Sequence, residues 1–212
     1  MYDKNQVTRC YDLAAEAYAN RFFNELAGKP FDRNILTWFS RLIPGHEKVI
    51  ETGCGPGEIA RFLKDQGVNI SGIDISQNMI NMAKRLNPDI DFTQGDMLNL
   101  KLENDSIFGI VAFYAIVHFT LPEVKLALQE FKRALKPGGY ILFSFHIGSG
   151  VLPVKDFLEQ KNADADFVLF QVEDIVKIID DLGLDRQEVI TRYPYIGREY
   201  ESKRAYILLK KK

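Results

Sequence analysis

The sequence has little cysteine and no long hydrophobic run, and each shortage removes a class of function. Two cysteines among 212 residues are too few for a disulfide framework or a cysteine-ligated zinc cluster, and they suit a reducing compartment. No apolar stretch approaches the roughly 20 residues that span a bilayer, and the amino terminus lacks the regions of a signal peptide. We therefore expect a cytoplasmic protein that does not bind a membrane.

The chain also lacks an excess of charge of either sign. Its 27 basic and 29 acidic residues leave a formal net charge of −2 at pH 7, which gives no general attraction to a phosphate backbone. Nucleic acid is therefore not an expected partner. Hydrophobic residues make up 46% of the chain, which is enough for one domain with a substantial core.

Strand-like and helical segments alternate between Lys48 and Phe145. This alternation predicts parallel βαβ units with helices on both faces of one sheet, and therefore an α/β fold. Strands are expected at residues 48–51, 69–74, 90–93, 107–114, 140–145, 184–192 and 204–209. Helices are expected at residues 7–26, 31–42, 58–66, 77–86, 123–135, 153–162 and 172–182. The last two strands pair best as an antiparallel hairpin at one sheet edge.

The most informative motif is a glycine turn that follows the first strand. An apolar run ends on Glu51, glycines alternate from Gly53 to Gly57, and apolar periodicity resumes at Ile59, so the turn joins a strand to a helix. Glycine admits positive φ and has no Cβ, so a ligand can approach the backbone closely. The free N–H groups of the next helix lie beside that ligand. Open α/β sheets bind nucleotide-like molecules at such a turn.

Two classes of ligand fit the glycine turn. Residues 55–60 can be read as the G-x-G-x-x-A fingerprint of dinucleotide-binding enzymes. Glu58 disfavours that reading, because it would place a carboxylate against a pyrophosphate. Asp74 ends the second strand, where a carboxylate can accept hydrogen bonds from ribose hydroxyls. Asp96 follows the third strand, where it could accept from an exocyclic amine under Met97. The alternatives are a helix cap for Asp74 and a turn residue for Asp96.

Four motifs in this order resemble the class I S-adenosylmethionine-dependent methyltransferases. They are Glu51-x-Gly53-x-Gly55-x-Gly57, Gly72-Ile73-Asp74-Ile75-Ser76, Gly95-Asp96-Met97 and Leu135-Lys136-Pro137-Gly138-Gly139. The opening Tyr11-Asp12-x-x-Ala15-x-x-Tyr18 is similar to the first helix of the small-molecule branch. The resemblance implies a Rossmann-like, doubly wound, mostly parallel seven-stranded sheet with a C-terminal antiparallel hairpin. It also implies one domain over 1–212, with a helical lid (1–45), a cofactor-binding core (46–147) and substrate-side helices with the hairpin (148–212).

The resemblance implies S-adenosylmethionine as cofactor and a role for each matching position. Glu51 would face the ammonium group of the cofactor, Asp74 would take its ribose hydroxyls and Asp96 its adenine amine. Ile75 and Met79 would flank the adenine. The full set of expected cofactor-binding residues is Tyr11, Tyr18, Glu51, Gly53, Cys54, Gly55, Gly57, Asp74, Ile75, Met79, Asp96, Met97, Phe113 and Tyr114.

Aromatic residues complete the implied site. Tyr11 and Tyr18 would close over the cofactor from the lid, and Phe113 and Tyr114 would border the sulfonium. One position departs from the family pattern, because Phe108 stands where an aspartate is common before the fourth strand. That acid is usually structural, so the departure concerns local packing more than cofactor binding.

The expected chemistry needs few catalytic groups. The sulfonium carries an activated methyl group, so the enzyme mainly aligns an oxygen, nitrogen or carbon nucleophile of a small-molecule acceptor. A general base is needed only for an acceptor that arrives protonated. His118 is the candidate base, with a structural histidine as the alternative. His146, Arg192 and Tyr195 are candidate substrate contacts, with a solvated loop as the alternative for the last two.

Other activities stay open or lose support at this point. His-Glu-x-x-His, paired cysteines and the P-loop pattern are missing, so no metal site is expected. A nicotinamide-dependent oxidoreductase is one alternative function. A non-catalytic S-adenosylmethionine-binding or protein-modifying protein is the other.

Overall fold

The chain folds around a central seven-stranded sheet, seen in a computed structural model that describes residues 2–212. Met1, at the start of the expected lid, lies outside the described residues. The helices are α1 (Lys4–Phe22), α2 (Pro30–Leu42), α3 (Glu58–Asp65), α4 (Gln77–Leu86), α5 (Leu121–Ala134) and α6 (Val172–Asp181), with short 3-10 helices at Glu25–Gly28 and Phe157–Glu159. The strands are β1 (Lys48–Thr52), β2 (Asn69–Asp74), β3 (Phe92–Gln94), β4 (Ile107–Phe113), β5 (Leu135–Ile147), β6 (Val151–Val154), β7 (Ala165–Val168), β8 (Asp185–Arg192) and β9 (Lys203–Lys210).

The sheet has the strand order β3-β2-β1-β4-β5-β9-β8. Neighbouring strands from β3 to β5 are parallel, whereas β9 pairs antiparallel with both β5 and β8. The expected mostly parallel sheet and its antiparallel C-terminal hairpin are therefore confirmed. The strand order reverses between β1 and β4, and open α/β sheets bind ligands at such a switch point, beyond the carboxyl ends of the strands.

Helices cover both faces of the sheet because its central strands are buried and apolar on both faces. On one face, Leu36 and Phe39 of α2 belong to the same buried cluster as Val111 of β4. On the other face, Phe131 of α5 clusters with the neighbouring β4 residue Ile110. Each such side chain contributes about 1.5–3 kcal/mol on burial, so the two layers hold the loops at the carboxyl edge in place. Within residues 2–212, no helix is long and apolar enough to cross a bilayer.

Polar caps set the starts of two helices earlier than apolar periodicity predicted. Asp3 precedes α1, and its side chain accepts hydrogen bonds at 2.9 and 3.1 Å from the backbone N–H groups two and three residues on, so the helix begins before residue 7. Thr120 and Glu123 form a reciprocal capping box, so α5 begins at Leu121.

The helix expected at residues 153–162 is wrong. Strand β6 occupies its start and pairs antiparallel with β7. The non-glycine residues of positive φ in this segment are Asp156, Leu158, Glu159 and Asn162. A right-handed helix excludes such torsions. The Phe157 ring packs instead against Tyr11 of α1, with the ring centroids 6.0 Å apart. Residues 148–212 therefore contain one of the expected substrate-side helices, α6, and a small two-stranded sheet where the other was expected.

Candidate functional site

A cleft lies at the carboxyl ends of β1, β2 and β4, and α1 covers it. Its walls contain many of the predicted site residues: Tyr11, Tyr18, Gly53, Gly55, Asp74, Ile75, Met79, Asp96, Met97, Phe113, Tyr114 and His118. It also contains Ile73 and Gly95 of the family motifs, Phe119, and three residues that the sequence reasoning missed: Tyr2, Val7 and Ala115. Ala115 directly follows Tyr114 in the sequence, so its closeness to a predicted site residue is the signal that could have found it. We call this space the switch-point cleft.

The glycine turn forms the floor of the cleft in left-handed backbone. Gly53, Gly55 and Gly57 have φ of 65, 50 and 84°, a region that L-residues rarely adopt. A Cβ on Gly53 would lie 2.6 Å from Cβ of Ala115, in the opposite wall. The turn therefore requires glycine both for its torsion and for the width of the cleft.

We expect Gly53→Ala to weaken binding of S-adenosylhomocysteine at least about tenfold, because the added methyl group narrows the cleft. Gly67→Ala is the matched control, since Gly67 has φ of 86° but open space around it. Both variants carry the torsional cost of about 1–2 kcal/mol, so thermal unfolding should shift similarly. Calorimetric titration checks the affinities. Equal affinity in the two variants would contradict the steric role of Gly53.

Asp74 is the best-organised polar group of the cleft. Its Oδ2 accepts a hydrogen bond from Gly55 N–H at 2.9 Å, and its Oδ1 accepts from Ser76 N–H at 2.9 Å. Burial raises the pKa of Asp74 to about 6, so the carboxylate is mostly ionised at neutral pH. Each carboxylate oxygen accepts more than one hydrogen bond, so Asp74 keeps capacity for two ligand hydroxyls.

Polar contacts hold α1 against the sheet beside the cleft. The Lys4 ammonium donates to Asp96 Oδ2 at 2.7 Å. Asp12 Oδ1 accepts from Ser76 Oγ at 2.6 Å and from Asn78 N–H at 3.1 Å, so it adds a negative charge at the amino terminus of α4, where the helix dipole favours it. The lid thus occupies one oxygen of Asp96 while it covers the cleft.

His118 lines the cleft beside Tyr11 of the lid. Its Nδ1 is 2.7 Å from the Asp166 carbonyl and its Nε2 is 2.8 Å from the Tyr11 hydroxyl. A carbonyl only accepts, so Nδ1 carries the proton and Nε2 accepts from Tyr11. Burial lowers the pKa of His118, which keeps the ring neutral. The Nε2 lone pair is therefore covered by the lid and becomes free when Tyr11 moves.

Lid aromatics fill most of the cleft. The Tyr18 ring lies over Gly55, 3.7 Å from the position that a Cβ would take, and packs against Phe157. The remaining cavity is about 80 Å³, whereas sites for ligands of nucleoside size are about 300–1,000 Å³. We infer that α1 moves outward to admit a ligand of that size.

Three predicted residues of the turn lie behind the cleft wall. Glu51 is buried, and its Oε2 accepts a hydrogen bond from Ala60 N–H of α3 at 2.8 Å. Cys54 is buried beside Gly72. Gly57 packs under Phe92, with 2.7 Å from its ideal Cβ position to the ring. Their direct contact with a cofactor stays a prediction.

The candidate substrate residues of the C-terminal third also lie outside the cleft walls. His146 Nδ1 is 2.7 Å from Ser202 Oγ, and its ring packs on Tyr114. Burial, followed by the positive charge of Arg204, lowers the pKa of His146 to about 4, so it is neutral. The Tyr195 hydroxyl accepts from Phe31 N–H at 3.0 Å.

Arg192 belongs to a buried polar network that no sequence pattern indicates. It donates to both oxygens of Glu199, at 2.7 and 2.8 Å, and pairs with Asp32 of α2 at 3.1 Å, 160 residues away in sequence. The Tyr206 hydroxyl donates to Asp32 and lies 2.7 Å from the Tyr114 hydroxyl. Tyr114 lines the cleft with φ of 50°, and surrounding contacts must hold such a torsion in place. Arg192 is thus neutralised within the protein.

A second, larger cavity adjoins the switch-point cleft. Tyr2 and His118 belong to the walls of both. This cavity has a volume of about 470 Å³ and extends between Thr120–Pro122 and Gly148–Val151 toward Gln171. Its lining is mainly apolar, with Asp166 and Asp174 as its acidic members. A molecule in this cavity would reach His118 from the side away from the glycine turn.

The switch-point cleft suits an adenosyl ligand without phosphates. Asp74 and Asp96 place two carboxylates in the cleft wall, and the glycine turn offers close backbone approach. The described wall residues include no lysine or arginine of the kind that neutralises a pyrophosphate. Glu58, on the first turn of the next helix, has a buried Oε2 without a hydrogen-bond partner in residues 2–212. These groups fit a ligand that carries positive charge.

Comparison with known proteins agrees with the predicted resemblance to methyltransferases. Residues 49–139 match the family described as a methyltransferase domain. The chain is thus similar to the S-adenosylmethionine-dependent methyltransferases, a family whose cofactor is S-adenosylmethionine. The predicted family resemblance is therefore confirmed.

Curated relatives match over part of their length. The chain is 34% identical over 97 residues to an uncharacterized methyltransferase of Oceanobacillus iheyensis, covering 46% of each protein. It is 30% identical over 147 residues to the malonyl-[acyl-carrier protein] O-methyltransferase of Pectobacterium atrosepticum, covering 68% of this chain and 54% of that protein. The chain spans about half the length of these relatives.

Solved structures share the fold at low sequence identity. The [4+2]-cyclase SpnF superposes with a TM-score of 0.76 at 14% identity, covering 99% of this chain and 96% of that one. A TehB-like S-adenosylmethionine-dependent methyltransferase from Corynebacterium glutamicum superposes with a TM-score of 0.68 at 21% identity, covering 93% and 98%. At such identities the likeness shows the Rossmann-like fold alone.

Proposed function

We propose that this protein transfers a methyl group from S-adenosylmethionine to an oxygen, nitrogen or carbon atom of a small-molecule acceptor. The observation that supports this most is the adjacency of the two cavities. The cleft built from the glycine turn, Asp74 and Asp96 shares Tyr2 and His118 with a cavity of about 470 Å³. One space suits the methyl donor, and the other has the size of a small-molecule site.

Alignment is the main contribution of the protein to this reaction. The cofactor supplies a methyl group already activated on a sulfonium. Asp74, ionised at neutral pH, accepts hydrogen bonds from the sugar, and Asp96 binds the adenine amine once Lys4 releases it. Tyr11 and Tyr18 then exclude water from above. Holding two reactants in line lowers a barrier by several kcal/mol, up to about 7–11 kcal/mol.

His118 is the proposed base for acceptors that arrive protonated. Its Nδ1 proton is fixed by the Asp166 carbonyl, which leaves Nε2 as the acceptor of a proton. Tyr11 covers Nε2 in the closed lid, so the base becomes available only when α1 shifts to admit the ligands. An acceptor nitrogen or carbon without a proton to lose needs no such step.

The names of relatives support a small-molecule acceptor without identifying it. Other relatives of this chain include a demethylmenaquinone methyltransferase of Paenarthrobacter aurescens, 32% identical over 98 residues. Two of the named relatives thus act on a quinone precursor and on a malonyl group carried by a protein. These names do not specify which small molecule accepts the methyl group from this chain, and the experiment below identifies it.

A two-stage experiment tests the proposed function. Calorimetry and thermal-shift measurements should detect binding of S-adenosylmethionine and of S-adenosylhomocysteine, and no binding of NAD(P). Incubation with isotope-labelled S-adenosylmethionine and an untargeted metabolite extract should then yield S-adenosylhomocysteine and a labelled product. A thermal shift with NAD(P) alone would favour the oxidoreductase. Cofactor binding without turnover across the extract would favour a non-catalytic protein.

A further inference from the structure

Glu58 stands out among the acidic residues near the glycine turn. It is the first residue of α3 and follows Gly57, whose φ is 84°. Its Oε2 is shielded from solvent and has no hydrogen-bond partner among the described residues. A buried carboxyl oxygen without a partner is costly, so a ligand group that donates a hydrogen bond or carries positive charge would stabilise it.

The surroundings of Glu58 leave it without a cation of its own. Six titratable groups interact electrostatically with Glu58: Tyr18 of α1, Glu25, Lys29, Glu51 of β1, Cys54 of the turn and Asp74 of β2. Lys29 is the cation of this set, and it already pairs with Glu25 at 2.8 Å and with Glu199 at 3.6 Å. Burial is the main reason that the pKa of Glu58 is raised to about 8. The carboxyl group is therefore largely protonated at neutral pH.

The position of Glu58 relates it to the switch-point cleft. Glu58 is three residues beyond Gly55, next to Gly57 of the turn, and the Tyr18 ring of the lid lies over Gly55. Glu58 thus lies where the glycine turn meets the lid. In an open α/β sheet, one end of the ligand lies against the turn that follows the first strand. The amino-acid end of the cofactor carries an ammonium group.

We propose that Glu58 binds the ammonium group of the cofactor. This inference rests on the proposed function. A cation next to the carboxyl favours its ionised form, and the amino terminus of α3 favours the same form through the helix dipole. Glu51 remains behind the turn, with one oxygen held by Ala60 N–H.

The first test compares two ligands in two variants. S-adenosylhomocysteine carries the amino-acid end, and 5′-methylthioadenosine lacks it. We expect Glu58→Gln to bind S-adenosylhomocysteine about 10- to 100-fold more weakly, the loss of one charge-assisted hydrogen bond, and to keep its affinity for 5′-methylthioadenosine within about twofold. Asp65→Asn, an exposed acid on the same helix, should change neither affinity.

The second test measures protons in the wild-type protein, so it does not depend on the folding of a variant. Calorimetry in buffers of different ionisation enthalpy, at about pH 7.5, should show release of about three-quarters of a proton per S-adenosylhomocysteine, the protonated fraction of a group with a pKa of about 8. Asp74, whose pKa is about 6, is already ionised there. Affinity should rise from about pH 6 to about pH 8 and then level off, and Glu58→Gln should flatten this rise. The variant thereby separates Glu58 from Glu51, whose pKa is also raised.

The possible outcomes separate this inference from the proposed function. Equal losses for both ligands, unchanged affinity in Glu58→Gln, or the same proton release in the variant would overturn the role of Glu58. Wild-type protein that binds neither ligand would overturn the proposed function itself.

Discussion

Glu199→Gln is expected to lower the free energy of unfolding by about 3–5 kcal/mol, the usual cost of breaking a buried ion pair from one side. The side chain of Glu199 is 1% exposed and accepts two hydrogen bonds from Arg192. Arg204, which is 3% exposed, pairs with the same carboxylate at 3.3 Å. Removing the negative charge leaves Arg192 with Asp32 as its carboxylate partner and leaves Arg204 without a carboxylate partner among residues 2–212.

Chemical unfolding at neutral pH measures this loss, with Glu201→Gln as the control. Glu201 is an exposed glutamate of the same loop, so its substitution should change the free energy of unfolding by less than about 0.5 kcal/mol. Equal stability of the two variants would mean that the network contributes nothing to the fold.

The same carboxylate gives this stability a pH dependence of known sign. Although burial opposes it, the hydrogen bonds from Arg192 lower the pKa of Glu199 to about 2. A carboxyl group with a lowered folded pKa stabilises the protein above its unfolded pKa of about 4.3, and that stability is lost as pH falls toward 2. Wild-type protein should therefore lose stability over this range more steeply than Glu199→Gln does.

The sequence predicted those parts of the molecule in which local pattern and function coincide. The glycine turn, Asp74 and Asp96 follow strands of clear apolar character, so their meeting at one sheet edge follows from parallel topology. The pairing of Arg192 with Asp32 joins residues 160 positions apart, and nothing in the spacing or the local composition of either segment indicates it.

The segment at 153–162 shows the opposite case, in which a local pattern misled. Its residues are compatible with helix periodicity, but Phe157 packs against α1 and β7. The backbone that carries this contact has positive φ at Leu158 and Glu159, and a right-handed helix does not allow these torsions. Burial of one aromatic side chain against neighbours that sequence periodicity cannot see outweighs a helix preference of tenths of a kcal/mol per residue.

Asp74→Ala is expected to weaken binding of S-adenosylhomocysteine at least about tenfold, and about 100-fold if both ribose hydrogen bonds are lost at about 1.5 kcal/mol each. The reason is that Asp74 is a buried carboxylate whose two oxygens are oriented by Gly55 N–H and Ser76 N–H. Asp91→Ala is the control, because Asp91 is an exposed acid near the start of the neighbouring strand. Thermal unfolding establishes that both variants are folded before calorimetry compares them.

A ligand lacking the 2′-hydroxyl group separates the ribose contact from a general effect on the turn. The 2′-deoxy form of S-adenosylhomocysteine should bind wild-type protein about tenfold more weakly than the parent ligand, whereas Asp74→Ala should not discriminate between the two. Wild-type affinity should also fall below about pH 6, where Asp74 takes up a proton and keeps fewer free acceptor sites. If Asp74→Ala still binds the 2′-deoxy form more weakly than the parent ligand, a residue other than Asp74 binds the 2′-hydroxyl group.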